Sequence, residues 1–157
     1  MPLDAICLRA VLHELRPQLI GARVDKVQQP ARDQIVLLLR GNLRLLLNAG
    51  ANQPRIQLTN ILRDNPAQPP MFCMLLRKHL TGGRLLDVQM EPGDRIVYFT
   101  FQCTNEMGDL VRNILCAELM GRYSNLVLVQ GGRIIDALKR VDFEDSDVRQ
   151  LLPGLPY

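Results

Sequence analysis

The sequence has no apolar run that could span a membrane. Apolar stretches such as residues 35–39 are far shorter than the roughly 18 residues that a membrane helix needs. The N-terminus carries an acid at Asp4 and has no basic flank before an apolar segment, so it does not resemble a secretory signal. These absences predict a cytosolic protein that does not contact a membrane.

Metal-binding patterns are also missing. No two of the cysteines stand about two to four residues apart, as they would in a zinc knuckle. The cysteines have apolar neighbours and are Cys7, Cys73, Cys103 and Cys116. We interpret them as reduced thiols buried like small apolar side chains, with redox or metal chemistry as the alternative. The acidic run at residues 142–147 is typical of a solvated surface, so we predict neither a metal nor a cofactor.

Catalytic patterns are equally scarce. The only histidines, His13 and His79, lie in helical patterns without a nucleophile elbow beside them. No glycine-rich phosphate loop occurs, and residues 131–133 fit a hairpin turn. We therefore expect a protein that is not an enzyme.

The composition itself is that of one globular domain. The chain has 157 residues, of which 47% are apolar and 22% charged. Its 19 basic and 16 acidic residues give a net charge of +3, which is too modest for wholesale wrapping of nucleic acid. All but three of the basic residues are arginine, whose planar guanidinium matches phosphate oxygens. A bias in genomic base content would explain this composition equally well until positions are considered.

Hydrophobic periodicity predicts an α+β fold. Apolar residues at helical spacing indicate a helix over residues 3–19, and the breaker-free residues 71–80, between Pro70 and Gly82, indicate a second. Alternating and β-branched segments predict four strands after the first helix and about five after the second. The predicted strands are residues 23–28, 34–39, 42–48, 55–59, 84–90, 96–101, 110–119, 125–129 and 134–138.

The two halves match each other without a gap. A shift of 61 positions sets Arg16 on Arg77, Gly21 on Gly82 and Asp33 on Asp94, among other identities. Apolar matches arise easily by chance, but the glycine, arginine and aspartate matches favour an ancient duplication. Two such halves predict a two-sheet β-sandwich with flanking helices, in which the sheets face each other.

Besides Arg84, which follows the cationic last turn of the second helix and lacks the helix-dipole explanation of that turn, two segments place polar side chains where they could bind a ligand. Asp94 and Arg95 follow a Pro-Gly turn at the start of a strand, where Asp94 could accept hydrogen bonds and Arg95 could bind a phosphate. A turn-capping aspartate beside an arginine is the structural alternative. In the second segment a strand breaks at Gly121, and the polar residues that follow form a patch that could bind an RNA backbone and stack a base. A β-bulge or hairpin link is the structural alternative. The candidates there are Arg122, Tyr123, Ser124 and Asn125.

Long motifs resemble a known family. The segments are PPMFCMLLRKHLTGGRL, GDRIVYF, AELMGRYSNLVLV, GRIIDALKRV and RQLLPGLPY. They are similar to the NFACT-N domain family of bacterial RqcH, or fibronectin-binding protein A-like protein, and eukaryotic NEMF. The resemblance covers essentially all of residues 1–157, and it implies one NFACT-N domain. We expect this domain to be a fragment of a longer protein with helix-hairpin-helix, coiled-coil and C-terminal modules.

The resemblance implies a role in ribosome-associated quality control. Family members bind large ribosomal subunits that carry obstructed peptidyl-tRNA, and they recruit alanyl-tRNA for untemplated alanine tailing of nascent chains. It also implies a fold similar to the N-terminal domain of formamidopyrimidine-DNA glycosylase. The tRNA-binding residues that it implies are Asp4, Arg84, Asp94 and Arg95, which we expect on one edge of the sandwich. Tyr123 stands where the family usually has histidine, but its ring can still stack.

Two other functions remain open. Pro2 could act as the amine nucleophile of a DNA glycosylase, although Leu3 replaces the glutamate that follows it in those enzymes and their zinc-finger module is absent. A fibronectin-binding surface adhesin agrees with the family's older name, but no signal sequence supports surface display. Binding of fibronectin is therefore expected only as a secondary property.

Overall fold

The N-terminal half consists of one helix and a four-stranded sheet. The computed structural model describes residues 4–60, 67–141 and 149–157. Helix α1 (Ala5–Leu19) precedes β1 (Val24–Ala31), β2 (Gln34–Leu39), β3 (Leu43–Asn48) and β4 (Arg55–Leu58). The strands pair antiparallel in chain order. The apolar face of α1 is buried, as its helical spacing predicts, and consists of Leu8, Leu12, Leu15 and Leu19.

The C-terminal half repeats this order with a larger sheet. Helix α2 (Met71–Leu80) precedes β5 (Arg84–Met90), β6 (Ile96–Thr104), β7 (Leu110–Glu118), β8 (Asn125–Gln130) and β9 (Arg133–Ala137). A 3₁₀ helix (Gly121–Tyr123) lies between β7 and β8, and the five strands form an antiparallel sheet in chain order. The predicted elements are all present, and their ends differ from the prediction by at most three residues.

One hydrophobic core joins the two sheets and both helices. Leu37 and Leu47 from the first sheet, and Phe99 and Leu115 from the second, belong to one cluster of buried side chains. The predicted α+β class, with two antiparallel sheets and two helices, is therefore confirmed. The acidic run at residues 142–147 lies outside the described residues.

Each half is hydrogen-bonded to the other through matching atoms. The backbone N–H of Gly21 donates to the carbonyl of Leu85 at 2.7 Å, and the N–H of Gly82 donates to the carbonyl of Val24 at 2.8 Å. Exchanging the two halves, by the shift of 61 positions, converts the first bond into the second, with the glycine as donor in both. Both glycines end a helix with positive φ, 88° and 81°, a conformation that glycine adopts without the penalty of a Cβ.

Two arginines at corresponding positions of the halves form a second pair of reciprocal hydrogen bonds, through their side chains. Arg16 of α1 donates to the carbonyl of Val88 in β5, and Arg77 of α2 donates to the carbonyl of Val27 in β1 at 2.9 Å. Arg16 also pairs with Asp87 at 3.2 Å. Each helix is therefore tied to the first strand of the other half.

The C-terminal segment covers part of the outer face of the five-stranded sheet. Leu151 packs in a second cluster with Cys116, Val127 and Val129. The carboxylate of Glu118 is 1% exposed and accepts two bonds from Arg149, at 3.0 and 2.5 Å, and one from the Tyr157 hydroxyl at 2.6 Å. This buried carboxylate attaches residues 149–157 to β7.

The cysteines are all free thiols, and one differs from the prediction. Cys73, Cys103 and Cys116 are buried, whereas Cys7 is exposed because it lies on the outward face of α1. Burial is the main cause that raises the pKa of Cys116 to about 12. Within the described residues, no helix has both the length and the apolar character needed to cross a membrane.

We predict that Gly83→Ala destabilises the fold by about 2 kcal/mol through overpacking. A Cβ at Gly83 would lie 2.7 Å from the Cys103 sulfur and 2.9 Å from the Leu80 carbonyl oxygen. Thermal unfolding measures the loss. The double variant Gly83→Ala/Cys103→Ala should recover part of it, because only the backbone contact remains. An unchanged midpoint in the single variant would contradict the steric explanation.

We predict that Arg149→Met costs about 3 kcal/mol, because it leaves the Glu118 carboxylate buried without its cation. Denaturant unfolding monitors the change. The matched variant Glu118→Met/Arg149→Met should be more stable than Arg149→Met, since it removes the buried charge as well. The reverse order would show that the ion pair is not what attaches the C-terminal segment.

Candidate nucleic-acid interface

Two connections lie side by side at one end of the five-stranded sheet. Residues 91–95 join β5 to β6, and residues 119–124 join β7 to β8. They are adjacent because Ile96 pairs with Glu118, which in turn pairs with Asn125. The N–H of Leu119 also donates to the Arg95 carbonyl at 2.9 Å, so the two connections are held together directly.

The turn before β6 is fixed by its own hydrogen bonds. The Asp94 carboxylate accepts from the backbone N–H of Arg95 at 2.8 Å, and the Asp94 N–H donates to the Glu91 carbonyl at 3.2 Å. The Tyr98 hydroxyl donates to the Glu91 carboxylate at 2.7 Å. Burial, followed by the bond to Glu91, raises the pKa of Tyr98, which keeps that hydroxyl protonated as a donor. The turn therefore presents Asp94 and Arg95 from a rigid base.

Asp4 reaches the same end of the sheet from helix α1. Its carboxylate accepts from the backbone N–H of Cys7 at 2.7 Å, which caps the helix. This bond is the largest cause that lowers the pKa of Asp4, and the positive charge of Arg95 lowers it further. Arg95 is therefore near enough to Asp4 to stabilise its ionised form. The cleft lined by Arg9 and Pro92 shows that the first turns of α1, which Asp4 caps, lie beside the turn that carries Asp94 and Arg95.

The segment after β7 divides into buried and exposed side chains. Ser124 is 1% exposed; its hydroxyl accepts from the Met120 N–H at 2.9 Å and donates to the Gly121 carbonyl at 2.7 Å. Asn125 is 2% exposed and bonds to both the N–H and the carbonyl of Lys139, at 2.9 and 2.7 Å. These two side chains hold the shape of the connection. Their predicted contact with RNA stays a prediction that their burial disfavours.

Arg122 and Tyr123 are the exposed pair of this segment. Tyr123 is 68% exposed, and the Arg122 guanidinium carbon lies 4.8 Å from the centre of its ring. Arg122 also donates to the Tyr123 hydroxyl at 2.7 Å. The cation therefore orients a ring whose surface remains open to solvent. A flat ring beside a cation can stack a base and bind a phosphate.

A cleft of about 380 Å³ lies behind this pair. Its walls include Lys139 and Arg149, two cations that sequence reasoning did not assign to the site. Lys139 donates to the Ala49 carbonyl at 2.8 Å, so this cation is fixed between the two sheets. No spacing motif connects Lys139 or Arg149 to Tyr123, because long-range pairing alone places them together.

Arg84 lies elsewhere. It opens β5, whereas the Asp94 turn follows the other end of that strand, about 20 Å away at the usual rise per residue. Its Nε donates to the Gly21 carbonyl at 3.3 Å, and its cross-strand neighbour is Arg23. The expectation that Arg84 shares an edge with Asp4, Asp94 and Arg95 does not match this geometry. A contact of Arg84 with tRNA stays a prediction.

Across residues 4–60, 67–141 and 149–157, no three His, Cys, Asp or Glu side chains form a group that could hold an ion. What the described side chains offer is two carboxylates, several cations and an exposed aromatic ring, which suits binding of a polyanion that has unpaired bases.

Comparison with known proteins gives consistent matches. The sequence profile described as NFACT N-terminal and middle domains matches residues 4–157. The Rqc2 homolog RqcH of Streptococcus pneumoniae is 40% identical over 162 residues, covering 100% of this chain and 29% of that protein. The human ribosome quality control complex subunit NEMF is 32% identical over 147 residues, covering 92% of this chain and 13% of that protein.

A solved structure agrees in fold. The N-terminal domain of the fibronectin-binding protein PavA from Streptococcus pneumoniae superposes with a TM-score of 0.93 at 40% identity, covering 98% of this chain and 60% of that one. The chain thus spans less than a third of the RqcH relative in sequence. With the profile matched from Asp4 to Tyr157 and the same fold in a solved relative, the chain belongs to the family of NFACT N-terminal and middle domains.

Proposed function

We propose that this chain is the tRNA-binding domain of a ribosome-associated quality control factor. The observation that carries the proposal is the adjacency of the Asp94–Arg95 turn and the connection with the exposed Arg122 and Tyr123 at one end of a sheet, with the start of α1, capped by Asp4, beside that turn. The names of RqcH and NEMF, which refer to ribosome quality control, support the same assignment. The domain acts by binding rather than by catalysis.

The roles of the residues follow from their positions. Arg95 binds a phosphate of the tRNA backbone, and Asp4 and Asp94 limit the directions that its guanidinium can take. Tyr123 stacks on an unpaired base, and Arg122 supports the ring while it contacts the adjacent phosphate. Because both connections rise from one antiparallel sheet, their spacing is fixed before the RNA arrives.

In the whole protein, this domain serves a larger reaction. We propose that the parent protein recognises large ribosomal subunits with obstructed peptidyl-tRNA and recruits alanyl-tRNA for untemplated alanine tailing. Residues 1–157 supply the tRNA contact, and further modules supply most of the binding to the subunit. This assignment places the protein in the cytoplasm, on ribosomes.

Two further proposals concern the origin of the fold. We infer that the halves arose by duplication, which the reciprocal bonds of Gly21 with Leu85 and of Gly82 with Val24 support. The likeness to the N-terminal domain of formamidopyrimidine-DNA glycosylase stays a prediction. Pro2, on which a glycosylase mechanism would depend, lies outside the described residues.

Binding of fibronectin is the second candidate function, because the solved relative PavA is named a fibronectin-binding protein. Exposed cations on this domain would bind acidic segments of such a partner. Detection of the protein on intact, unlysed cells would favour this function, and its confinement to ribosome fractions would favour quality control.

We predict that Asp94→Ala/Arg95→Ala weakens tRNA binding by at least about tenfold, because it removes a charge-assisted phosphate contact and the carboxylate beside it. Gel shift with deacylated and alanyl-tRNA at one stated salt concentration measures the loss. The matched control is Asp33→Ala/Gln34→Ala, which changes the corresponding positions of the first half. Equal affinities of the wild type and the Asp94/Arg95 variant would remove this pair from the proposal.

We predict that Tyr123→Leu weakens tRNA binding by about 1 to 3 kcal/mol, the usual contribution of one stacked base. Tyr123→Phe and Tyr123→His keep a flat ring and should stay close to wild type. Fluorescence titration with labelled tRNA distinguishes the three. Because the side chain is 68% exposed, thermal stability should change little. Equal losses in all three variants would assign the effect to the hydroxyl instead of stacking.

A further inference from the structure

Several arginines form a row at the opposite end of the five-stranded sheet. Arg84 pairs with Gln102, and Gln102 pairs with Arg112, across β5, β6 and β7. An isolated bridge extends this register to Arg23, which precedes β1 in the other sheet. We call these four residues, Arg23, Arg84, Gln102 and Arg112, the arginine row. Residues paired across antiparallel strands point to the same face, so the row presents three guanidinium groups together.

The row lies on the outer face of the sheet. The neighbours of Gln102 along β6, Phe101 and Cys103, point into the core, so Gln102 points away from it. Arg84 and Arg112 are exposed for the same reason, and Arg23 is exposed as well. The C-terminal segment packs on side chains farther along this face, such as Cys116 and Val127. The row therefore stays open to a ligand.

Arg23 and Arg84 are especially close. The N–H of Val24 donates to the Gly83 carbonyl at 2.9 Å, and the N–H of Leu85 donates to the Ala22 carbonyl at 2.9 Å. Arg23 and Arg84 thus form a non-hydrogen-bonded pair, the type in which facing side chains approach most closely. Like charges in this position destabilise a sheet, so folding alone gives no reason for two arginines here.

Most donors of the row remain available. Arg84 donates its Nε to the Gly21 carbonyl at 3.3 Å, and Arg23 donates one Nη to the Gly82 carbonyl at 3.1 Å. These bonds use one of the five N–H donors of each guanidinium. Among the described residues, no hydrogen bond or ion pair involves the side chain of Arg112. The nearby acid Asp25 pairs with Arg40 at 3.4 Å and does not neutralise the row.

We propose that the arginine row binds the phosphate backbone of an RNA helix, as a second RNA site separate from the Asp94 end of the sheet. Four positions at the usual strand spacing extend about 14 Å, which can contact more than one phosphate of a duplex. Because the major groove of an RNA helix is too deep and narrow for side chains to reach the bases, guanidinium groups bound to its backbone make a contact that is independent of sequence. The site rests on its own geometry, and it adds to the proposed tRNA contact without requiring it.

The test measures binding of the 157-residue chain to a fully paired RNA hairpin of arbitrary sequence over a series of salt concentrations. The double variant Arg84→Gln/Arg112→Gln should weaken binding about tenfold and lower the salt dependence by one to two phosphate contacts. The matched control, Arg32→Gln/Lys78→Gln, removes the same charge from other exposed positions and should retain the wild-type salt dependence. Equal losses in both double variants would overturn the proposal.

A gain-of-function variant covers the case in which the double variant folds poorly. Gln102→Arg completes the row, and it should tighten binding of the hairpin several-fold and raise the salt dependence by about one contact. No tightening in a folded Gln102→Arg variant would overturn the proposal. Competition by polyglutamate that is as strong as competition by RNA at equal charge would assign the row to an acidic protein, and would also overturn it.

The two RNA sites fail separately. A hairpin that binds through the row, together with unchanged tRNA binding by Asp94→Ala/Arg95→Ala, would reject the proposed tRNA site and keep the row. Loss of tRNA binding in that variant, with no effect of Arg84→Gln/Arg112→Gln on the hairpin, would reject the row and keep the tRNA site.

Discussion

The attachment of each helix to the first strand of the other half is the constraint on which the rest of the structure depends. Helix α1 is tied to β5 by the bond from Arg16 to the Val88 carbonyl, and α2 is tied to β1 by the bond from Arg77 to the Val27 carbonyl. Because α1 ends beside the start of β5, its first residue lies near the far end of that strand. The start of α1 therefore lies beside the turn before β6, although the two are remote in sequence, and Arg9 and Pro92 line the same cleft.

Local pattern was sufficient to predict the elements of the fold. Residues 71–80 contain no helix breaker, and the helix occupies this range, between Pro70 and Gly82. Periodicity also identified the buried face of α1, but it does not reveal which strand that face contacts. The exposed Cys7 shows the same limit, because only one of its two apolar neighbours, Leu8, is buried, whereas Ile6 is 82% exposed.

The candidate site was predictable only in part, since hydrogen bonding decides which polar side chains stay accessible. Residues 122–125 are all polar or aromatic in the sequence. The side chains of Ser124 and Asn125 are buried and hydrogen-bonded to backbone groups, whereas Tyr123 and its neighbour Arg122 face solvent. The position of Arg84 depends on the length of strand β5. Six positions along one strand separate it from Met90, and that distance moves it to the opposite end of the sheet.

The contacts between α1 and β5, which join the two halves, also affect how the chain folds during its synthesis. Helix α1 packs against both β4 and β5, and residues 84–90 of β5 are synthesised long after residues 5–19 have left the peptidyl-transferase centre. Until then α1 lacks the packing that β5 supplies, and the first half lacks the hydrogen bonds that Gly21 and Val24 donate to residues 83–85. The N-terminal half therefore completes its packing only once the second half has been made, a non-local closure of the kind that slows folding.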